Sequence, residues 1–184
     1  HGANLAAFLY KLQLNDPVVY NRIVKVIQSV APYFLDFDLR PNAEGSEYIR
    51  LAWHDKYSEN RYGATDLSDG TIRFIALVAL FLQPNPPAVI VIDEPELGLH
   101  PFSINKLSGL VRSVSERGTQ VSLATQSVEL VNGFGPADIV AVDNLEGASV
   151  FNRLDENQLT EWLEDYAVGD MWRQNLLNKA FPNK

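Results

Sequence analysis

The sequence predicts an α/β fold in which a mostly parallel sheet is flanked by helices, with a small helical and β-hairpin part at the N-terminal end. Two observations carry it. Ala88 to Ile92 is an unbroken apolar run rich in β-branched residues, the pattern of a strand covered on both faces in a parallel sheet. Downstream, Ile104, Leu107, Leu110, Val111 and Val114 recur at helical spacing up to Gly118, and Gln120 to Ala124 reads as a second strand. Together they make a strand, helix, strand unit, and the C-terminal end of its first strand is a place for chemistry.

The elements before this unit follow from local signals. Asn4 to Leu14 is apolar enough for a short helix, and Asp16-Pro17 then supplies an N-cap with proline at the first helical position. Val19, Ile23, Val26, Ile27 and Val30 predict an amphipathic helix that stops at Pro32. The period then changes to two: Leu35, Phe37 and Leu39 alternate with polar residues, as do Ile49, Leu51 and Trp53, with residues 41–46 as the intervening turn. Thr71 to Leu82 is apolar nearly all round, which suits a buried helix, and Pro84-Asn85-Pro86-Pro87 ends it. Beyond the second parallel strand we expect a short helix from Val128, strands near Ile139–Val142 and Ser149–Leu154 around Glu146-Gly147, and an aromatic helical tail containing Trp162 and Trp172. Three segments result: residues 1–60 lead in, 61–145 form the main lobe, and 146–184 form a strand and helical tail.

Composition narrows the functional classes. With 184 residues and 46% hydrophobic side chains, the chain can bury one good core. It has no cysteine, which excludes disulfides, thiol nucleophiles and Cys-based zinc sites. A net charge of −8 and the lack of a Lys/Arg run argue against autonomous binding to a nucleic-acid backbone. No apolar stretch approaches the ~20 residues of a membrane-spanning helix, so a cytoplasmic protein without a membrane partner is expected. The opening at His1, without methionine and already in the middle of a domain pattern, suggests a fragment.

Chemistry concentrates after the first parallel strand. Asp93-Glu94 places two carboxylates at a sheet edge, where they repel one another and lose water unless a cation offsets them. A Mg²⁺-dependent site is the expectation, with Asp93 holding the metal and Glu94, pointing the other way, orienting and deprotonating a water. A plain polar turn carrying an N-cap is the alternative for the same residues. Upstream, Leu67-Ser68-Asp69-Gly70-Thr71 brings a hydroxyl, a glycine and the free amides of a helix start to one place, where an anion such as a triphosphate end would fit. An ordinary helix cap accounts for the pentapeptide equally well. The three histidines show no metal-ligand spacing, and no Gly-x-Ser-x-Gly occurs. Trp53, Tyr57 and Tyr62 with Arg50, Lys56 and Arg61 can be read as a nucleic-acid surface, but alternating strand burial explains most of them.

In order and spacing these motifs resemble ABC-type ATPases: Leu67 to Thr71 the signature loop, Val89 to Glu94 the Walker B strand, and Leu97-Gly98-Leu99-His100 the D-loop. The Ser68-Asp69-Gly70-Thr71 and Glu94-to-Pro101 versions resemble the SMC/RecF-like branch, including bacterial AAA-type proteins, over about Asn4 to Tyr166. The resemblance implies Glu94 as catalytic base, Asp93 as a Mg²⁺ ligand through water, and Ser68 with Gly70 contacting γ-phosphate across a dimer interface lined by Leu99 and His100. Thr125-Gln126-Ser127 resembles the switch segment, with Gln126 where the family commonly has histidine. A glutamine amide can still donate to a phosphate oxygen but carries no charge, and a cap turn is the other reading. Asp69 and Pro101 both speak against a transporter subunit. No Gly-x-x-x-x-Gly-Lys-Ser/Thr occurs in the sequence, so nothing in it wraps the phosphates. The implied protein is the C-terminal half of an ATPase that uses ATP and Mg²⁺ with an N-terminal P-loop lobe, forms a homodimer on ATP binding, and works in DNA-related or defence processes with a possible DNA or nuclease partner. A non-catalytic dimerisation module, or a split subunit awaiting a P-loop partner, is the competing class.

Overall fold

The computed structural model describes residues 4–41, 48–154 and 166–174. The chain divides into two compact units, His1–Leu123 and Ala124–Lys184.

The first unit opens with α1 (Leu5–Asn15) and α2 (Pro17–Val30), and Asp16 joins them by accepting a hydrogen bond from the Val19 amide at the start of α2. The face α2 buries is turned from the one its valines predict: Tyr20, Ile23, Val24 and Ile27 lie in the core, while Val19, Val26 and Val30 are half-buried. Tyr20 decides the rotation. Its ring packs against Phe37 and its hydroxyl donates to Asp36 at 2.6 Å, so a residue with a polar tip takes the core position.

Strands β1 (Phe34–Pro41), β2 (Ile49–Asp55) and β3 (Arg61–Gly63) form an antiparallel sheet in that order. The third strand is too short to leave a periodic trace in the sequence. Trp53 binds the sheet together: it stacks on Phe34 at 5.8 Å and on Tyr62 at 4.9 Å between ring centroids, and its indole N–H donates to the Gly63 carbonyl. The polar face carries a buried carboxylate, Asp38, gripped through Nε by Arg40 at 2.7 Å and by Arg61 at 2.6 Å, which ties β1 to β3 across β2.

A 3-10 turn at Ala64–Asp66 leads into α3 (Asp69–Leu82), whose second half is buried on nearly every side, as the apolar run predicts. Strand β4 (Val89–Asp93) follows, then α4 (Pro101–Glu116) and β5 (Gln120–Ala124). β4 and β5 are hydrogen-bonded neighbours, and the Gln120 amide donates to the carbonyl of Ala88, so the two strands start side by side, as a parallel pair does. Coverage of β4 on both faces is not what the structure shows. Ile90 is buried, but Val89 is 54% and Val91 75% exposed, because among the described residues β4 has packing on one face only. Arg117, just beyond α4, donates to the carbonyls of Phe81 and Gln83 and so straps the carboxyl ends of α3 and α4 together.

The second unit holds the short helix α5 (Val128–Val131), the antiparallel hairpin β6 (Val140–Leu145) and β7 (Ala148–Arg153), and α6 (Val168–Arg173). The hairpin turns at Glu146 and Gly147, both at positive φ, where the sequence places its turn. The Asn132 side chain accepts from the Gly169 amide, and a Cβ on Gly169 would meet the Val128 carbonyl at 2.6 Å, so α6 approaches α5 as closely as glycine permits. Trp172 lies in α6, whereas Trp162 falls outside the described residues. Among the described residues no helix is long and apolar enough to cross a membrane.

Candidate functional site

The loop before α3 is built by its cap. Ser68 is the N-cap: its side chain accepts from the Thr71 amide at 3.1 Å and shares a 2.8 Å hydrogen bond with the Thr71 hydroxyl. Asp69, Gly70 and Thr71 form the first turn, whose early amides have no acceptor within the helix, and Asp69 adds the negative charge a helix start favours. Leu67 differs from its neighbours. Its side chain is buried, so it anchors the loop from the core side, while Ser68 and Asp69 are exposed.

The turn after β4 carries the acidic residues. Asp93 ends the strand and is exposed. Glu94 follows with φ of +44°, a left-handed conformation that side chains other than glycine, Asn and Asp seldom adopt and that collects at functional sites. A buried Pro95 comes next, and the turn is closed by hydrogen bonds from the Leu97 amide to the Glu94 carbonyl and from the Leu99 amide to the Glu96 carbonyl. Gly98, at φ of +79°, lets the chain swing into α4. His100 caps α4 with Nδ1, which accepts from the Phe102 amide at 3.2 Å; this tautomer leaves the proton on Nε2.

These two segments meet. A Cβ on Gly70 would lie 2.2 Å from the Gly98 carbonyl oxygen, so the first turn of α3 and the β4–α4 turn touch backbone to backbone. A second link is Arg73, whose Nη1 donates to the Leu97 carbonyl at 3.0 Å. Arg73 has only a faint sequence signal: it is the one charged side chain between Thr71 and Leu82 in an otherwise apolar helix. Ser68, Gly70, Glu94, Leu99 and His100 thus belong to two segments joined through Gly70–Gly98 and Arg73–Leu97.

Gln126 belongs to the second unit. It is exposed and sits in a cap turn in which Thr125 accepts from the Ser127 amide and Ser127 accepts from the Leu130 amide. The cap-turn reading of this segment is therefore met by its hydrogen bonds.

The donor set around Asp93 suits Mg²⁺ in one particular way. Among the described residues no three His, Cys, Asp or Glu side chains cluster to hold a metal. One exposed carboxylate at a strand end fits an ion that keeps most of its waters and shares phosphate oxygens, which is how Mg²⁺ ordinarily binds beside nucleotides.

In fold the chain is an α/β domain similar to that of SMC ATPase heads. By sequence, residues 8–132, more than half of the chain, match the family described as "AAA domain, putative AbiEii toxin, Type IV TA system", and the chain belongs to that family. No curated protein matches the sequence. Similar solved structures include an SMC ATPase from work on ATP-driven dimerization and DNA-stimulated activation (TM-score 0.58, 14% identity, 80% of this chain and 89% of that one). The Pyrococcus furiosus Smc head bound to the C-terminal domain of ScpA gives 0.61 at 16% identity, over 80% of this chain and 37% of that one. The Pyrococcus yayanosii Smc head with coiled coil and joint gives 0.59 at 16% identity, over 80% and 28%. At such identities the likeness speaks for the fold, and the chain spans well under half of the last two proteins.

Proposed function

We propose that this chain is the C-terminal half of a cytoplasmic ABC-type ATPase that hydrolyses ATP at a dimer interface and thereby switches conformation. The observation that carries this reading is Glu94: a carboxylate in a left-handed turn, at the end of a strand, in a segment fastened to a capped helix start. A strained backbone there has a purpose if Glu94 must face an attacking water.

In this reading Glu94 takes the proton of the water that attacks the γ-phosphorus as its bond to the bridging oxygen breaks and ADP leaves, and Asp93 would hold Mg²⁺ through water. When bound there, the ion would supply positive charge to offset that building on the phosphate oxygens. Ser68, Gly70 and the amides opening α3, with Asp69 and Thr71 shaping that turn, receive the γ-phosphate of a nucleotide held by a second copy. Leu67 supports them from the core, and Leu99 and His100 line the junction between copies. Gln126 donates an amide proton to a phosphate oxygen, a weaker contact than an imidazolium would make. The sequence contains no P-loop, so ATP binding requires a P-loop-bearing N-terminal lobe, and this chain alone turns over no ATP. A toxin–antitoxin family name and a DNA-stimulated SMC relative support DNA-related or defence work as the setting, and a DNA or nuclease partner of the full-length protein belongs to the same proposal.

The test is to combine this chain with a P-loop-bearing half, ATP and Mg²⁺, and to measure phosphate release together with oligomeric state. ATP-dependent dimers with turnover support the proposal. Dimers without turnover identify a non-catalytic dimerisation module, and neither dimers nor turnover sinks the reading.

A further inference from the structure

We propose that Arg73 is a positioning residue that fixes Glu94 against the start of α3, so that occupancy of the Ser68–Gly70 helix end and the placement of the base are coupled within one chain. The inference rests on the reading of Glu94 as the base.

Leu97 stands between the two groups. Its carbonyl accepts from Arg73 Nη1, and its amide donates to the Glu94 carbonyl at 3.2 Å. One residue, Leu97, therefore connects a side chain one turn into α3 with the backbone of the left-handed residue, through its two flanking peptide groups. The Gly70–Gly98 contact lies three residues earlier on α3 and one residue further along the turn, so α3 and the turn are held at two neighbouring points, one steric and one hydrogen-bonded. Neither contact suffices alone. The steric one blocks closer approach but not separation, whereas the charge-assisted hydrogen bond resists separation.

The placement of Arg73 supports a dedicated role. Every other side chain from Ile72 to Leu82 is apolar, so the half-buried Arg73 is the one side chain of that run able to donate to the turn. A carbonyl in a turn without a regular ladder gains most from an outside donor. An anion arriving at Ser68 and Gly70 pulls on the first turn of α3, and Arg73 carries that displacement to the turn bearing Glu94.

The experiment uses the protein completed by its P-loop half, with Arg73→Ala and Arg73→Lys variants. In Arg73→Ala the amides of Leu97 and Leu99 should exchange with solvent about threefold to tenfold faster, since each closes the turn that Arg73 supports. With ATP and Mg²⁺, kcat should fall roughly tenfold to a hundredfold while KM stays within about twofold, because a base misplaced by about an ångström slows chemistry without loosening nucleotide. Arg73→Lys keeps a cationic donor and should restore most of both. Unchanged exchange in Arg73→Ala overturns the proposal, as does faster exchange with unchanged kcat. Turnover absent from the unmutated protein rejects the hydrolytic reading instead, and the clamp is then judged on exchange alone.

Discussion

Gly70 and Gly98 are packed backbone to backbone: a single methyl added at position 70 would lie 2.2 Å from the carbonyl oxygen of residue 98. Gly70→Ala must push the β4–α4 turn away from α3. We expect it to cost about 1–3 kcal/mol, as overpacking does, and to lower the melting temperature by ~2–4 °C per kcal/mol in a thermal denaturation scan. Gly98→Ala acts through conformation instead, since its φ of +79° strains any side chain there while the space around it is open to 3.9 Å. The two variants should therefore differ in turn displacement, readable by amide exchange, more than in stability.

Ser68 has a structural duty as the cap of α3, and its proposed contact with a nucleotide can be separated from that duty. Ser68→Ala should destabilise the fold by about 1 kcal/mol. Ser68→Asp caps a helix as well as serine does but sets a negative charge where a phosphate is expected. Stability near that of the unmutated chain together with a large fall in ATP turnover supports the phosphate contact. Equal turnover by the two forms rules it out.

Glu94→Gln in the completed protein should slow phosphate release by ~10²–10⁴ while ATP-dependent dimers persist, because the amide keeps the shape but cannot accept the proton. Steady-state turnover beside size-exclusion chromatography decides the matter, and unaltered turnover ends the assignment of Glu94 as base.

Asp93→Asn should raise the Mg²⁺ concentration needed for half-maximal turnover by about tenfold or more, since it removes the carboxylate charge at the strand end. Chelation by EDTA should abolish turnover of the unmutated protein and leave its melting temperature in the absence of nucleotide unchanged, because the fold has no protein-caged metal among the described residues. A melting temperature that falls on chelation would contradict the donor set described above.

Burial, and then the neighbouring Asp36 carboxylate, push the Tyr20 phenol well above its usual range. A group whose pKa is raised by folding lends stability that is complete below its unfolded value, about 10, and is lost as pH climbs beyond it. Denaturant midpoints should therefore hold up to about pH 10 and drop above it. Tyr20→Phe should cost about 1–2 kcal/mol at neutral pH and flatten the alkaline drop. A variant with the same alkaline slope as the unmutated chain would remove Tyr20 as its source.

The elements announced by period and punctuation were legible from sequence: α1 to α4, β4 and β5, and the β6–β7 turn all fall where apolar spacing, Asp16-Pro17, the 84–87 proline cluster or Glu146-Gly147 place them. What escaped depends on non-local geometry. β3 is three residues long, too short for a period, and exists because Trp53 and Tyr62 stack across it. The exposed side of β4 has the same β-branched composition as its buried side, so Val89 and Val91 cannot be told from Ile90 by pattern. Trp53 is core, as alternating strand burial predicts, and not part of a nucleic-acid surface. In the candidate site, residue types and order identified both loops, but their meeting at Gly70 and Gly98 has no signature in either one. Only Arg73, a single charge in an apolar helix, hinted that α3 had a polar neighbour.

The strap from Arg117 to the carbonyls of Phe81 and Gln83 makes the covalent link through Pro84–Pro87 partly redundant. That loop is largely exposed and leads from α3 to β4, while the C-terminal end of α3 is also held to the end of α4 by a contact that does not run through it. It is therefore a natural seam for opening the chain: a circular permutant begun at Asn85 should assemble α3 against α4 without a peptide bond there.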